Sequence, residues 1–206
     1  MIENYELEIN NIMINYMCAL KILEAQIEVI NDEFQYKYNH NPIEHIKTRV
    51  KSVDSIMKKL EKYNLDFSID NIINNIFDII GARIVCSFKS DIYKIVDIIK
   101  TSSCLEVVKE KDYIKNPKES GYSSYHLIVD VPVYLSTGVI KVKAEIQIRT
   151  IAMDFWASLE HKINYKFSKK LPDKIRNELI SSSKIIDDLD NRMNYLKELV
   201  NEYKEE

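Results

Sequence analysis

The sequence predicts an α+β fold, a mixed β-sheet flanked by helices, with a long helix at each end of the chain. Three observations predict it. Residues 5–37 carry Ile9, Ile12, Tyr16, Leu20, Leu23, Ile27, Ile30 and Phe34 at steps of three and four, the period of a helix with one apolar face. In the middle of the chain, runs rich in β-branched residues alternate with a helical segment and then follow one another across a glycine-bearing turn. Near the end, Leu179, Ile186, Leu189, Met193, Leu196 and Val200 form a heptad seam interrupted by Ser182.

The first helix is expected to stop before Asn41-Pro42. A second starts around Pro42, where proline suits a first helical turn, and continues through SVDSIMKKLEKY. IFDIIGARIVCSF then reads as a strand, SDIYKIVDIIKTS as a helix capped by its serine and aspartate, and LEVVKEKDY as another strand. SYHLIVDVPVYL and VIKVKAEIQIR follow as two strands joined by Ser136-Thr137-Gly138, a hairpin signal. The terminal seam needs a partner, which is its own domain, the first helix or a neighbouring subunit. Glycine is scarce, so its places are informative: Gly81 interrupts a strand, as happens where a backbone or ligand approaches closely.

A chain of 206 residues fits one domain with helices outside it rather than two complete domains. Its 29 basic and 32 acidic residues give a net charge of -3, which argues against a general nucleic-acid coat or an anionic-membrane binder. Any phosphate site must be local. Cys18, Cys86 and Cys104 are odd in number and widely spaced, and read as reduced thiols. With no signal-peptide pattern and no run of transmembrane length, the expected location is cytoplasmic.

The chemistry concentrates between Lys118 and Lys166. In VIKVKAEIQIR, Val142, Ala144, Ile146 and Ile148 alternate with Lys141, Lys143, Glu145, Gln147 and Arg149, so five polar side chains share one face. Alternation alone describes a solvated sheet face, but a carboxylate flanked by an amide and several cations suits a metal-bound, phosphate-bearing ligand. Asp78 opens an otherwise apolar strand and supplies a second carboxylate. Two such carboxylates from adjacent strands can hold one Mg²⁺ that also binds substrate phosphates. Arg49, Lys51, Ser55, Lys58, Lys59 and Lys62 recur at roughly helical spacing as a basic surface.

DIIGARI, GYSSYH, EIQIRT and AMDFWASLEHKINYK resemble the small alarmone synthetases of the RelA/SpoT family, over a stretch from about Pro42 to Lys166. The resemblance implies a sheet of the nucleotidyltransferase (polymerase-beta-like) type in residues 41–170, between oligomerising helical segments 1–40 and 171–206. The implied reaction transfers the ATP β,γ-pyrophosphate to the 3′-hydroxyl of GMP, GDP or GTP, giving (p)ppGpp-type alarmones and AMP. It implies Mg²⁺ on Asp78 and Glu145, with Glu145 also activating the hydroxyl. Arg49, Lys51, Ser55, Lys59 and Arg83 fall to ATP. Lys111, Lys118, Tyr122, His126, Gln147 and Arg149 fall to the guanine nucleotide, with the ring of Tyr122 stacking on the base. A homotetramer, no membrane and no obligatory nucleic acid are further implications.

Some positions depart from the family pattern. Ser123 stands where short members commonly carry arginine, an expected loss of one nucleotide contact. Glu24, Glu28, His45, Lys47 and Asp154 stand where some tetrameric relatives bind alarmone in a central cleft, and acidic side chains there would repel a polyphosphate. None of His40, His45, His126 and His161 precedes an aspartate, so the metal motif of an alarmone hydrolase is absent. The rival readings are a family toxin that modifies adenosine nucleotides or tRNA, and an inactive nucleotide- or RNA-binding regulator. Intact Asp78 and Glu145 argue against inactivity.

Overall fold

A computed structural model describes residues 2–38, 41–102, 104–165, 167 and 171–205; His40 and Lys166 lie outside them. The element order is α1 (Ile2–Tyr38), β1 (Ile43–Val50), α2 (Val53–Lys62), α3 (Ile69–Asn75), β2 (Ile80–Cys86), α4 (Lys89–Thr101), β3 (Glu106–Asp112), β4 (Tyr125–Leu135), β5 (Gly138–Thr150), α5 (Ile151–Tyr165) and α6 (Asp173–Glu205). The strands form one mixed sheet in the order β1-β2-β5-β4-β3, in which only β2 and β5 run parallel.

One correction concerns residues 43–50, expected as the start of a helix. They form edge strand β1, antiparallel to β2. Ile43 is its one fully buried residue, so the strand has no apolar alternation to betray it, and Pro42 opens an edge strand as readily as a helix. Arg49 and Lys51 therefore sit at the end of β1 and in the turn after it, not on α2. Helix α2 instead begins at Ser52, whose hydroxyl accepts from the Ser55 amide. A second element missed by sequence reading is α3, capped in the same way by Ser68 on the Asn71 amide.

The core fills one face of the sheet. Helix α1 lays Tyr16, Ala19, Leu23, Ile27, Ile30 and Phe34 against the apolar side of the strands, beside Ile92, Ile95, Val96 and Ile99 of α4. Leu23 and Ile27 are fully buried, each adding about 1.5–3 kcal/mol of hydrophobic stabilisation. With this face closed by helices, the polar face of β5 is left to line a cleft.

Helix α4 is not capped by its own serine and aspartate: Phe88 occupies the N-cap without a side-chain bond. Its first turn is held from α6, where Asn194 Oδ1 accepts from the Ser90 amide at 3.1 Å and Lys197 reaches buried Asp91 at 2.5 Å. Lys89 bonds Asp187 and Asn191, and Asp190 accepts from Thr150 Oγ1 at 2.6 Å. The polar side of α6 thus packs on its own domain. Leu189, Met193, Leu196 and Val200 of the heptad seam stay exposed.

Burial raises the pKa of Asp190 and Asp187 adds to this, against the Thr150 bond and Lys89. A carboxyl raised on folding contributes stability below its unfolded pKa and loses it as pH rises through the folded value. Asp190→Asn, which keeps an oxygen for Thr150, should therefore raise the melting temperature near pH 7 and leave it unchanged below about pH 4. Thermal melts at both pH values check this.

Candidate active site

Strand register writes the site across the sheet. Pairing places Lys47, Arg83, Gln147, His126 and Lys111 in one cross-strand row, and Arg49, Gly81, Glu145, Ile128 and Lys109 in the next. Side chains in register share a face, so residues scattered from Lys47 to Gln147 converge on one surface. Gly81 makes room at its centre: a Cβ there would stand 2.9 Å from the Glu145 carbonyl oxygen. The strand glycine marks a close backbone approach, as the sequence suggested.

Asp78 lies in the turn just before β2, within reach of three cations. Lys59 Nζ is 2.8 Å from its Oδ1 and Lys51 Nζ is 2.9 Å from its Oδ2. Arg49 Nη2 stands 3.9 Å from both Asp78 Oδ2 and Glu145 Oε2, so one guanidinium bridges the two carboxylates. Burial alone would raise the Asp78 pKa, but hydrogen bonds and charge from Lys59 and Lys51 hold it below the usual carboxylate value. Glu145 behaves alike: burial pushes up, and bonds from His126 and Gln147 outweigh it despite the nearby Asp78. Both groups are ionised at neutral pH.

Three clefts meet at Glu145. One of about 220 Å³ is lined by Lys47, Thr48, Arg49, Gly81, Arg83 and Gln147. A second, of about 320 Å³, is walled by Lys59, Tyr63, Asp78, Lys109, Lys111 and Tyr113. The third, of about 360 Å³, is bounded by Arg49, Lys118, Ser120, Tyr122, Gln147 and Glu160. Asp78 lines the second and third as well, so the carboxylate pair sits where cationic walls converge.

The loop after β3 presents Tyr122. Gly121 adopts φ +89°, and a Cβ on it would collide with Ser183 of α6, so glycine is required twice over. Lys118 Nζ sits 4.7 Å from the Tyr122 ring centroid and Arg149 Cζ 5.0 Å. The sequence assigned Tyr122 a role through its ring. Its hydroxyl is engaged as well, 2.5 Å from Arg149 Nη2 and 2.8 Å from His126 Nε2.

Not every predicted residue reaches a cleft. Arg149 has a side chain 4% exposed, with its guanidinium committed to Ser124, Asp154, Tyr122 and Gln147, which places it under the floor. Ser55 bonds Ser52 at the start of α2 and lines none of the three clefts. Ser123 lines a small cavity against α6 with Trp156 and Asp190, and none of the three clefts. Asp154 pairs with Arg83 at 3.1 Å and Arg149 at 3.2 Å, and Glu24 accepts from Thr48 Oγ1 at 2.6 Å. Tyr113 and Lys109 were missed, and Asp154 was singled out only as a central-cleft position; their places here depend on strand register and on α5, which no local spacing encodes.

The fit to a cation follows from the donor set. Among the described residues no group of three or more His, Cys, Asp or Glu forms a metal cage. Two hard carboxylates at a cleft mouth match an ion that takes its other ligands from water and phosphate.

Residues 48–170 match the family model described as the region found in RelA / SpoT proteins. The chain belongs to the RelA/SpoT family. Over 190 residues, 92% of the chain, it is 47% identical to GTP pyrophosphokinase YwaC of Bacillus subtilis, of which it covers 90%. Two crystal structures of small alarmone synthetase 1 from Bacillus subtilis are similar as well. One, bound to its product pppGpp, has a TM-score of 0.86 at 35% identity over 94% of this chain and 98% of that one. The other, bound to AMPCPP, has a TM-score of 0.80 at 34% identity over 95% and 98%. The clefts and the carboxylate pair thus lie within a RelA/SpoT region, on the nucleotidyltransferase-like fold of the small alarmone synthetases.

Proposed function

We propose that this chain is a GTP pyrophosphokinase that makes (p)ppGpp-type alarmones from ATP and GMP, GDP or GTP. The observation that carries the reading is the pair Asp78 and Glu145 at the junction of cation-walled clefts, one beside Arg49 and Arg83 and the other beside Tyr122. ATP occupies the side of Arg49, Lys51, Lys59 and Arg83, and the guanine nucleotide stacks on Tyr122 with its phosphates toward Lys111 and Lys118. The guanosine 3′-hydroxyl attacks the ATP β-phosphorus. As the new P–O bond forms, the bond from that phosphorus to the oxygen shared with the α-phosphorus breaks, AMP departs with the oxygen, and the hydroxyl proton passes to Glu145. Asp78 and Glu145 would hold Mg²⁺, which neutralises polyphosphate charge when bound. The protein's task is alignment and charge stabilisation, consistent with a site built from cations rather than a nucleophile.

Purified protein given radiolabelled ATP, Mg²⁺ and separate acceptors tests the substrate class. Label is expected on GMP, GDP or GTP and not on adenosine nucleotides or tRNA; the reverse pattern identifies a toxin-like member. A catalytic domain of residues 41–170 acting in the cytoplasm agrees with the charge balance and with described helices none of which is long and apolar enough to cross a membrane.

The same reading includes a homotetramer, supported by apolar side chains exposed on the helices. Leu189 and Leu196 share one face of α6, and Ile151, Phe155 and Leu159 recur every fourth residue on α5. Because the polar side of α6 serves its own domain, substitution tests assembly better than truncation. Leu189→Glu with Leu196→Glu should lower the mass seen by light scattering while leaving the fold intact; an unchanged mass places the interface elsewhere.

A further inference from the structure

Between Arg149 and Glu145 run two chains of hydrogen bonds, each begun by an arginine N–H. Arginine can only donate. Arg149 Nη2 donates to Tyr122 Oη at 2.5 Å, and in the neutral imidazole tautomer that points N–H at the carboxylate, Tyr122 gives its own proton to His126 Nε2 at 2.8 Å. An imidazole accepting at Nε2 carries its proton on Nδ1, and Nδ1 lies 3.1 Å from Glu145 Oε1. On the second path Arg149 Nη2 donates to Gln147 Oε1 at 2.9 Å, so the Gln147 amide nitrogen is turned to Glu145 Oε2 at 2.8 Å. Each Glu145 oxygen thus receives one donor and keeps a lone pair for the incoming hydroxyl or a cation.

We propose that His126 is a positioning residue, and that the Tyr122 hydroxyl orients it, so that the residue stacking on the acceptor base also aims the carboxylate that takes the acceptor's proton. Both ring nitrogens of His126 are engaged within the protein, so a nucleotide in the second or third cleft, which the ring borders, meets carbon and not a ring nitrogen. Its side chain is 12% exposed, and the Tyr113 ring packs edge-on at 5.2 Å, so its orientation is held by packing too. Arg149 anchors both paths through Asp154 at 3.2 Å and Ser124 at 3.3 Å. The base-stacking surface and the reactive carboxylate are therefore one rigid assembly, and a displaced Tyr122 would misaim Glu145. The proposal rests on the reading of Glu145 as the acceptor of the hydroxyl proton.

The test separates kcat from the guanine-nucleotide KM, with GTP as acceptor and ATP saturating, in Tyr122→Phe, Tyr122→Ala, His126→Ala, His126→Asn and the pair Tyr122→Phe/His126→Ala. Loss of a supporting hydrogen bond behind a reactive ligand lowers activity by roughly ten- to a hundredfold, so His126→Ala should lose kcat on that scale with KM nearly unchanged. His126→Asn, whose amide nitrogen can replace Nδ1 toward Glu145, should recover much of it. Tyr122→Phe should keep the parent KM and lower kcat, whereas Tyr122→Ala should raise KM as well. Adding Tyr122→Phe to His126→Ala should cost kcat nothing further, because the shared path is already broken. A raised KM with parent kcat in His126→Ala would make the ring a nucleotide contact, and fully multiplicative kcat losses in the pair would show that no path is shared; either overturns the proposal. Thermal melts alongside exclude unfolding, and a parent protein inactive on GTP would instead overturn the function itself.

Discussion

Glu145→Gln should lower pyrophosphate transfer by roughly 10²–10⁴-fold, the range for losing a general base, with Asp78→Asn causing a comparable loss through the cation site. Each change keeps side-chain volume and removes one charge. The geometry adds a reason for severity at Glu145: His126 Nδ1 and the Gln147 amide both donate to it, from opposite oxygens. A glutamine offers one oxygen and one NH₂ group, so it cannot accept from both as they stand: either Gln147 turns its amide or His126 shifts to the tautomer that accepts at Nδ1. Asp78→Asn acts differently, removing the one charge that balances Lys51 and Lys59 at 2.9 and 2.8 Å. Circular dichroism should show a parent-like fold in both. Turnover within a few-fold of the parent in either variant would remove that residue from the reaction.

Lys197→Met should destabilise the protein by about 3–5 kcal/mol, because it removes the 2.5 Å cationic partner of Asp91, a carboxylate that is 0% exposed. For a chain of this size that is a fall in melting temperature of roughly 6–20 °C. Arg192→Met is the control: its pair with Asp188 lies on the surface, with side chains 74% and 63% exposed, and belongs to a class worth about 0–1 kcal/mol. Adding Asp91→Asn to Lys197→Met should restore much of the loss, since the buried charge is then gone. Equal melting temperatures for Lys197→Met and Arg192→Met would mean that α6 is not docked through this pair.

What the sequence made legible follows burial. The polar face of β5 was readable because the opposite face is closed by helices, so alternation survives in Val142, Ala144, Ile146 and Ile148. Edge strand β1 was not, since almost nothing on it is buried. The heptad seam of α6 was visible, yet the domain holds that helix by Asp187, Asp190, Asn194 and Lys197, polar contacts to distant elements that carry no local period. Asp78 and Glu145 were singled out through carboxylates in strand-like surroundings and a motif resemblance, and the structure brings them together beside Arg49. The engagement of the Tyr122 hydroxyl, His126, Arg149 and Asp154 was out of reach, because it arises only when β4, β5 and α5 are brought into register.

Intact pyrophosphate, not a single phosphate, should move from ATP to a guanine nucleotide. Parallel reactions with ATP labelled at the γ- or the α-phosphorus, GTP as acceptor, and chromatographic separation of products distinguish the two. The γ label should appear in a guanine product more highly charged than GTP, and the α label only in AMP. Release of the γ label as orthophosphate, with the α label accumulating in ADP, would contradict it.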